Sequence, residues 1–232
     1  MKSSEDSKYR LFLFCGVLAP MILGVVIIVV GQLTPNYNQV SESISRMGTP
    51  DKPYAWLLHG SYYFYGILIG IAACGLNRTI GSISKTNILA ILLGIHACGM
   101  MLLAVFPDSI NSTFKHITHD IMSVITYLPL IIAIFISRRI ARHELTLRVV
   151  GVLGIFIIII NLPMPIINLV SPLASIGGLL QRLLSGCSFF WLSLTFFLLY
   201  RNYHSIECRM KDVKSPYSLA VTERLLLDQP QR

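Results

Sequence analysis

The composition of this chain of 232 residues excludes an ordinary soluble protein. Hydrophobic residues make up 54% of the sequence and charged residues only 13%, whereas soluble domains carry about 25% charged residues. One soluble core could not bury so much apolar sequence, so a lipid-facing surface is expected. The formal net charge of +8 could suit nucleic acid, but the basic residues lie at the edges of apolar segments without a binding motif. We therefore predict no nucleic-acid partner.

The chain contains six apolar segments, each close to the roughly 20 residues that cross a ~30 Å hydrocarbon core. The first is too long for the core of a signal peptide, and no small-residue cleavage pattern follows it, so we interpret it as an uncleaved span. We predict an all-α fold, an integral membrane bundle over residues 11–200 with tails at 1–10 and 201–232. The six predicted transmembrane helices are 11–33, 55–76, 88–106, 117–137, 149–170 and 179–200.

The longest loop, residues 34–54, is bracketed by prolines and contains a short helical pattern. Val40, Ile44 and Met47 recur in it at helical spacing. This spacing predicts one short amphipathic helix that lies at the membrane interface and ends at Gly48.

The distribution of lysine and arginine predicts the orientation of the chain. Fifteen of the nineteen lie on the side of the termini: three before the first span, two after the second, four after the fourth and six after the sixth. The opposite side holds Arg46, Lys52 and Lys115, and Arg182 lies inside the sixth span. Because the basic side is normally cytoplasmic, we predict that both termini are cytoplasmic and that the protein lies in the cell membrane.

With that orientation, unusual polar side chains from several segments gather near the outer face. Charged and imidazole groups are costly in a membrane unless they are paired, so such a group is a candidate site. The residues are Ser41, Ser43, His59, Asp108, His116, His119, Asp120, Gln181 and Arg182.

Two interpretations of this set need no metal. In the first, the polar groups are structural, and Asp120 pairs with Arg182 near a helix N-terminus, where a carboxylate is favoured. In the second, they form a pocket for a polar head group, in which Gln181 and Arg182 donate hydrogen bonds and Asp120 orients them.

The third interpretation is a catalytic metal site. His116 and Asp120 are four residues apart and share a helix face, and His119 lies beside them. Imidazole and carboxylate groups suit zinc, so these three are candidate ligands, with Asp108 as an alternative to Asp120 and His59 as a fourth ligand. The His-x-x-His-Asp spacing does not by itself identify a metal, so the cofactor stays unassigned and zinc stays an open alternative.

Short motifs in a fixed order give the chain a resemblance to a known family. They are Gly16–Pro20, Thr34-Pro-x-Tyr37, Val40-Ser41-x-x-Ile44-Ser45-x-x-Gly48, Pro53-Tyr-Ala-Trp56, Phe106-Pro107, His116-x-x-His119-Asp120, and Gln181-Arg182 followed by Trp191. Over residues 11–200 this order resembles the prokaryotic six-span membrane family known as domain of unknown function 998. The resemblance implies a fold and no particular activity.

The chain departs from the pattern of that family at two positions. Arg46 stands where the family usually has an acidic residue, and Ile117 stands where it usually has glycine. The six spans and the serine-rich outer loop are also distantly similar to the Frag1/DRAM/Sfk1 group, some members of which act in lipid handling.

The sequence thus predicts a multi-pass membrane protein with one of three functions. The leading hypothesis is binding or movement of a small polar or lipid head group in an outward-facing pocket. The second is a metal-dependent, membrane-embedded hydrolase of a lipid-like substrate, with Ser41, Ser43 or Asp108 assisting. The third is a structural membrane protein without a ligand. The expected partners are the lipid bilayer and a lipid or small polar ligand, and no residue is assigned a catalytic role.

Overall fold

A computed structural model of the protein describes residues 2–80, 84–109, 111–140, 154 and 175–203. Everything in this described part that is regular is helical, which confirms the predicted all-α class. The helices are α1 (Lys2–Leu33), α2 (Ile44–Met47), α3 (Ala55–Ile80), α4 (Ser84–Val105), α5 (Thr113–Ile140) and α6 (Gly177–Arg201).

Five of these helices are long and apolar enough to cross a membrane, so the chain is a multi-pass membrane protein. The five spans are Ser7–Leu33, Ala55–Arg78, Asn87–Val105, Thr113–Ser137 and Gly177–Arg201. They match the first four predicted spans and the sixth, although the first and the fourth each begin four residues earlier than predicted. The predicted fifth span, 149–170, lies outside the described residues except for Gly154. The total of six spans and the orientation of the chain in the membrane therefore stay predictions.

The described helices pack side by side in the order α6, α1, α3, α4, α5. Glycines allow close approaches between neighbouring helices in this row. A Cβ atom on Gly66 of α3 would lie 2.6 Å from the Ala97 carbonyl oxygen of α4. One on Gly99 of α4 would lie 2.8 Å from the Cα atom of Thr126 in α5. Gly94 of α4, by contrast, has nothing within 4 Å of its Cβ position and makes no such approach.

The outer surface of the row is apolar. Large side chains such as Val25 and Ile28 on α1, Ile91 on α4 and Val124 on α5 are each about 60% exposed. Exposed aliphatic side chains in such number are unfavourable in water and are stabilised by lipid. It supports the membrane assignment independently of helix length.

A buried histidine holds α3, α4 and α5 together in the middle of the bundle. His96 of α4 is 0% exposed. Its Nδ1 atom lies 2.8 Å from the Thr126 carbonyl oxygen of α5, and its Nε2 atom lies 2.9 Å from the Tyr65 hydroxyl of α3. Because a carbonyl can only accept, Nδ1 carries the proton. Burial disfavours a charged ring, so Nε2 is unprotonated and accepts from the Tyr65 hydroxyl. Both ring nitrogens are then bonded.

The loop between α1 and α3 contains the predicted short helix. Ile44 and Met47 of α2 are buried against the bundle, and the helix ends at Gly48 as expected. Gly48 has φ −94° and ψ 2°, so it does not adopt the left-handed conformation common at helix ends. Val40 precedes the helix and is exposed, which shortens the predicted pattern by one turn.

Candidate functional site

Helix α2 is the meeting point of the long helices at one end of the bundle, here called the loop end, where segments 34–54 and 106–112 connect them. The N-cap residue Ser43 makes no side-chain capping bond. Instead the Oε1 atom of Gln181 on α6 accepts a hydrogen bond from the backbone N–H of Ile44 at 2.7 Å. At the other end of α2, the Nε2 atom of His59 in α3 lies 2.7 Å from the Gly48 carbonyl oxygen. Two long helices thus fix both ends of this single turn.

The guanidinium of Arg182 binds the loop rather than Asp120. Its Nη1 atom donates to the carbonyl oxygens of Gln39, Glu42 and Gly178 at 2.8, 3.0 and 2.9 Å. Its Nη2 atom donates to the Tyr37 hydroxyl. The ion pair with Asp120, one alternative from the sequence, is replaced by these contacts. Since its Nη donors are engaged within the protein, Arg182 is a structural clamp on the loop.

Tyr37 extends this clamp toward α2. Its hydroxyl accepts from Arg182 and lies 2.8 Å from the Ser43 carbonyl oxygen, to which it donates. Burial raises the pKa of this hydroxyl above its ordinary value, and the hydrogen bond from Arg182 opposes that shift. The hydroxyl therefore keeps its proton at neutral pH and remains a donor to the loop.

His119 of α5 connects α2 to the end of α4. Its Nδ1 atom lies 2.9 Å from the Phe106 carbonyl oxygen, and its Nε2 atom lies 3.1 Å from Ser45 Oγ. The carbonyl can only accept, so Nδ1 carries the proton and the Nε2 lone pair accepts from the Ser45 hydroxyl. The His119 side chain is nearly buried, at 6% exposure. A hydroxyl directed at an imidazole of fixed tautomer is the arrangement used for nucleophile activation.

His116, one turn before His119 and Asp120 on α5, lies between two carboxylates. Its Nδ1 atom is 2.8 Å from Asp108 Oδ1, and its Nε2 atom is 3.7 Å from Asp120 Oδ2. Asp108 is nearly buried and also accepts the backbone N–H of Ser109 at 2.8 Å. His116 and Asp120 are more than half exposed.

The candidate metal ligands do not converge on one point. Both ring nitrogens of His119 are bonded to Ser45 and Phe106, whereas both ring nitrogens of His116 face carboxylates. Within the described ranges, no three His, Cys, Asp or Glu side chains are grouped closely enough to hold a metal ion. A metal would therefore require these side chains to exchange their present partners.

A cavity of about 630 Å³ lies beside the Ser45–His119 pair. Among the described residues, its walls come from all six helices, with α5 and α6 contributing most of them. The polar side chains that line it are Ser45, Tyr62, His119, Asp120, Ser123, Tyr127, Gln181, Ser185 and Ser188, and the apolar ones are Leu23, Ile27, Ile44, Met100, Leu103, Val124, Leu128, Ile131, Leu184 and Phe189.

Three of the residues selected from the sequence line this cavity: His119, Asp120 and Gln181. The other six do not line it. His59 and Arg182 hold the loop, and Asp108 and His116 bond to each other, as described above. Ser41 is exposed, and Ser43 is the N-cap of α2.

Sequence reasoning missed most of the hydroxyl groups in the cavity. Ser45 was overlooked although it follows Ser41 and Ser43 in the same loop. Ser123 and Tyr127 lie three and seven residues after Asp120, and Ser185 and Ser188 lie four and seven residues after Gln181. Such spacings place side chains on one helix face, so a polar stripe inside each apolar span was the available signal.

Comparison with known proteins assigns the chain to a family. The family described as "Protein of unknown function (DUF998)" matches residues 17–198. The chain belongs to this family. The match spans most of the chain and includes every residue of the site described above. No curated protein and no solved structure matches the chain. The similarity to the Frag1/DRAM/Sfk1 group stays a prediction.

Proposed function

We propose that this protein binds an amphipathic, lipid-like ligand in the cavity between α5 and α6, with the head group of the ligand at the loop end. The observation that carries the proposal is the cavity itself, whose polar stripe and aliphatic walls both run inward from α2. Its volume of about 630 Å³ is within the range of roughly 300–1,000 Å³ found for small-molecule sites.

The depth of the cavity suits a molecule drawn from one leaflet. On α5 its lining runs from His119 to Ile131, which are twelve residue steps apart. At about 1.5 Å per residue this is about 18 Å, close to half of a ~30 Å hydrocarbon core. Each methylene of a chain buried there would contribute about 0.8 kcal/mol if it came from water, and much less if it came from lipid.

Side access to the cavity is supported by the exposure of two of its lining residues. Val124 and Leu128 of α5 line the cavity, yet they are 61% and 52% exposed. They therefore border an opening at the lipid-facing surface of α5. A ligand could enter from the bilayer without crossing water.

The polar groups favour a neutral or cationic head group over a phosphate. Asp120, whose side chain is 64% exposed, supplies a carboxylate at the loop end of the cavity. Hydroxyl groups and the Gln181 amide supply hydrogen bonds. Arg182, the head-group donor expected from the sequence, is committed to the loop carbonyls.

We extend this proposal to the location of the site in the cell. The asymmetry of lysine and arginine supports a cell-membrane protein with cytoplasmic termini. In that orientation the loop end and the head group would lie on the outer side. The ligand would then belong to the outer leaflet.

Photolabelling in membranes tests the binding proposal. The probes are diazirine-bearing diacylglycerol, which is neutral, and the matching phosphatidic acid, which is anionic. We expect the neutral probe to label the wild type on α5 or α6 more strongly than the anionic probe. Ser123→Phe should fill the cavity and reduce labelling at least several-fold.

The matched control is Ile125→Phe, because Ile125 lies on the same helix, is 40% exposed and does not line the cavity. Labelling in I125F should equal that of the wild type. Equal labelling of S123F and I125F by the neutral probe would contradict the proposal.

A further inference from the structure

We propose that Ser45 is a nucleophile activated by His119, and that the cavity carries an acyl-transfer activity toward an ester-linked, lipid-like substrate. The substrate class rests on the proposed ligand site, but the reactivity of Ser45 does not. Three observations support it: the hydrogen bond between the two side chains, the fixation of each partner, and the opening of the serine to the cavity.

The geometry of the pair is that of a nucleophile and its base. Ser45 Oγ and His119 Nε2 are 3.1 Å apart, within the range of a hydrogen bond that can transfer a proton. The proton on Nδ1 is held by the Phe106 carbonyl oxygen at 2.9 Å, so the Nε2 lone pair is directed at the serine. A backbone carbonyl takes the place that a carboxylate has in a Ser-His-Asp triad.

Both partners are positioned by other elements. His119 lies on a long helix and is nearly buried. Ser45 lies on α2, whose two ends are held by Gln181 and His59 as described above. Holding a reactive side chain on a fixed backbone keeps the serine aligned before substrate arrives.

The site also has access to substrate and water. Ser45 and His119 both line the cavity, so an ester carbonyl of a bound lipid-like molecule can approach Oγ. Water can enter at the loop end, where Asp120 is exposed. Gln181 lines the same cavity, and its NH₂ group, opposite the oxygen that accepts from Ile44, can donate to the oxyanion.

The reaction balances without a redox partner or metal. Ser45 Oγ forms a bond to the acyl carbon as its proton passes to His119 Nε2. The C–O bond to the alcohol breaks, and the alcohol leaves with that proton. Water then attacks the acyl-enzyme, His119 takes a proton from the water, and the proton returns to Ser45 Oγ as the carboxylic acid leaves. Because the Phe106 carbonyl is neutral, it stabilises the intermediate imidazolium less than a carboxylate would, so turnover should be slow.

A fluorophosphonate probe tests this inference on the full-length protein in detergent. Serine attack on its phosphorus expels fluoride and leaves a stable adduct, and the probe need not resemble the lipid. We expect an adduct on the Ser45 peptide by mass spectrometry, with labelling at least tenfold lower in Ser45→Ala and in His119→Gln. Ser43→Ala is the matched control, because Ser43 lies two residues from Ser45 and its backbone carbonyl, not its side chain, accepts the hydrogen bond from Tyr37. It should be labelled like the wild type.

The outcomes separate this inference from the binding proposal. Thermal unfolding first establishes that each variant is folded. The assignment of Ser45 as nucleophile is contradicted if the folded wild type carries no adduct on Ser45. It is also contradicted if S45A is labelled as strongly as the wild type. An adduct whose rate is unchanged in H119Q overturns the role of the base. If Ser45 reacts with the fluorophosphonate but neither diazirine lipid labels the protein, the assignment of Ser45 as nucleophile is supported and the lipid-binding site is contradicted.

Discussion

Two histidines in this protein make the same pair of hydrogen bonds in different surroundings. In each, Nδ1 donates to a backbone carbonyl oxygen, that of Thr126 for His96 and that of Phe106 for His119. In each, Nε2 accepts from a hydroxyl, that of Tyr65 or that of Ser45. The two distances to the carbonyl differ by only 0.1 Å, so local geometry does not distinguish the two sites.

Access distinguishes them. His96 and Tyr65 are 0% and 1% exposed, and their rings pack edge to face with centroids 5.6 Å apart. Ser45 instead borders a cavity large enough for a small molecule. The fully buried Tyr65 hydroxyl can only stabilise the bundle, whereas the Ser45 hydroxyl, which borders the cavity, can contact a substrate. Polar pairs in membrane bundles should therefore be judged by what lies next to them as well as by their bonds.

The largest effect should come from removing the sealed histidine. His96→Leu leaves the Tyr65 hydroxyl buried without its partner, and each such group costs about 1–3 kcal/mol. We expect a loss of about 3 kcal/mol, seen as a clearly lower midpoint of thermal unfolding in detergent. His119→Leu should cost about 1 kcal/mol, because the Ser45 hydroxyl can bond water in the cavity. Equal midpoints for the two variants would remove the distinction between the sites.

A smaller effect should come from displacing the loop that carries Ser45. A Cβ atom on Gly178 would collide with the Glu42 carbonyl oxygen and lie 2.8 Å from that of Gln39. Gly178→Ala should therefore cost about 1–3 kcal/mol as an overpacked contact and speed tryptic cleavage after Arg46. Gly186→Ala is the control, because nothing lies within 4 Å of its Cβ position on the same helix. Cleavage at the same rate in both variants would show that the loop is not clamped there.

The smallest effect is expected at the mouth of the cavity. Asp120 is 64% exposed on its side chain and lies 3.7 Å from His116, a geometry worth at most about 0.5 kcal/mol. Asp120→Asn should leave the unfolding midpoint nearly unchanged. Asp108→Asn should lower it measurably, because Asp108 is 7% exposed and accepts from both Ser109 and His116. If D120N proves the more destabilising change, Asp120 is part of the packing and not of an open site.

The class of the protein was determined by the sequence. Hydropathy and segment length are local properties, so five described spans lie where the sequence predicts them, and the motif order identified the family. The turn at α2 was also predictable, because Ile44 and Met47 are three residues apart and share a face. The gathering of polar residues at one end of the bundle followed from counting spans.

Which polar groups meet depends on the packing of the whole bundle. Ser45 and His119 are 74 residues apart, and Ile44 and Gln181 are 137 apart. Their pairing depends on how each helix is rotated about its axis and how closely it approaches its neighbours, and neither is encoded in a local pattern. For the same reason Arg182 could be placed near the loop end but not matched to its carbonyl partners, and Ser45 could not be told from Ser41 and Ser43. A hydrogen bond is formed only within a few tenths of an ångström of its ideal length, and the packing of the whole bundle sets that distance.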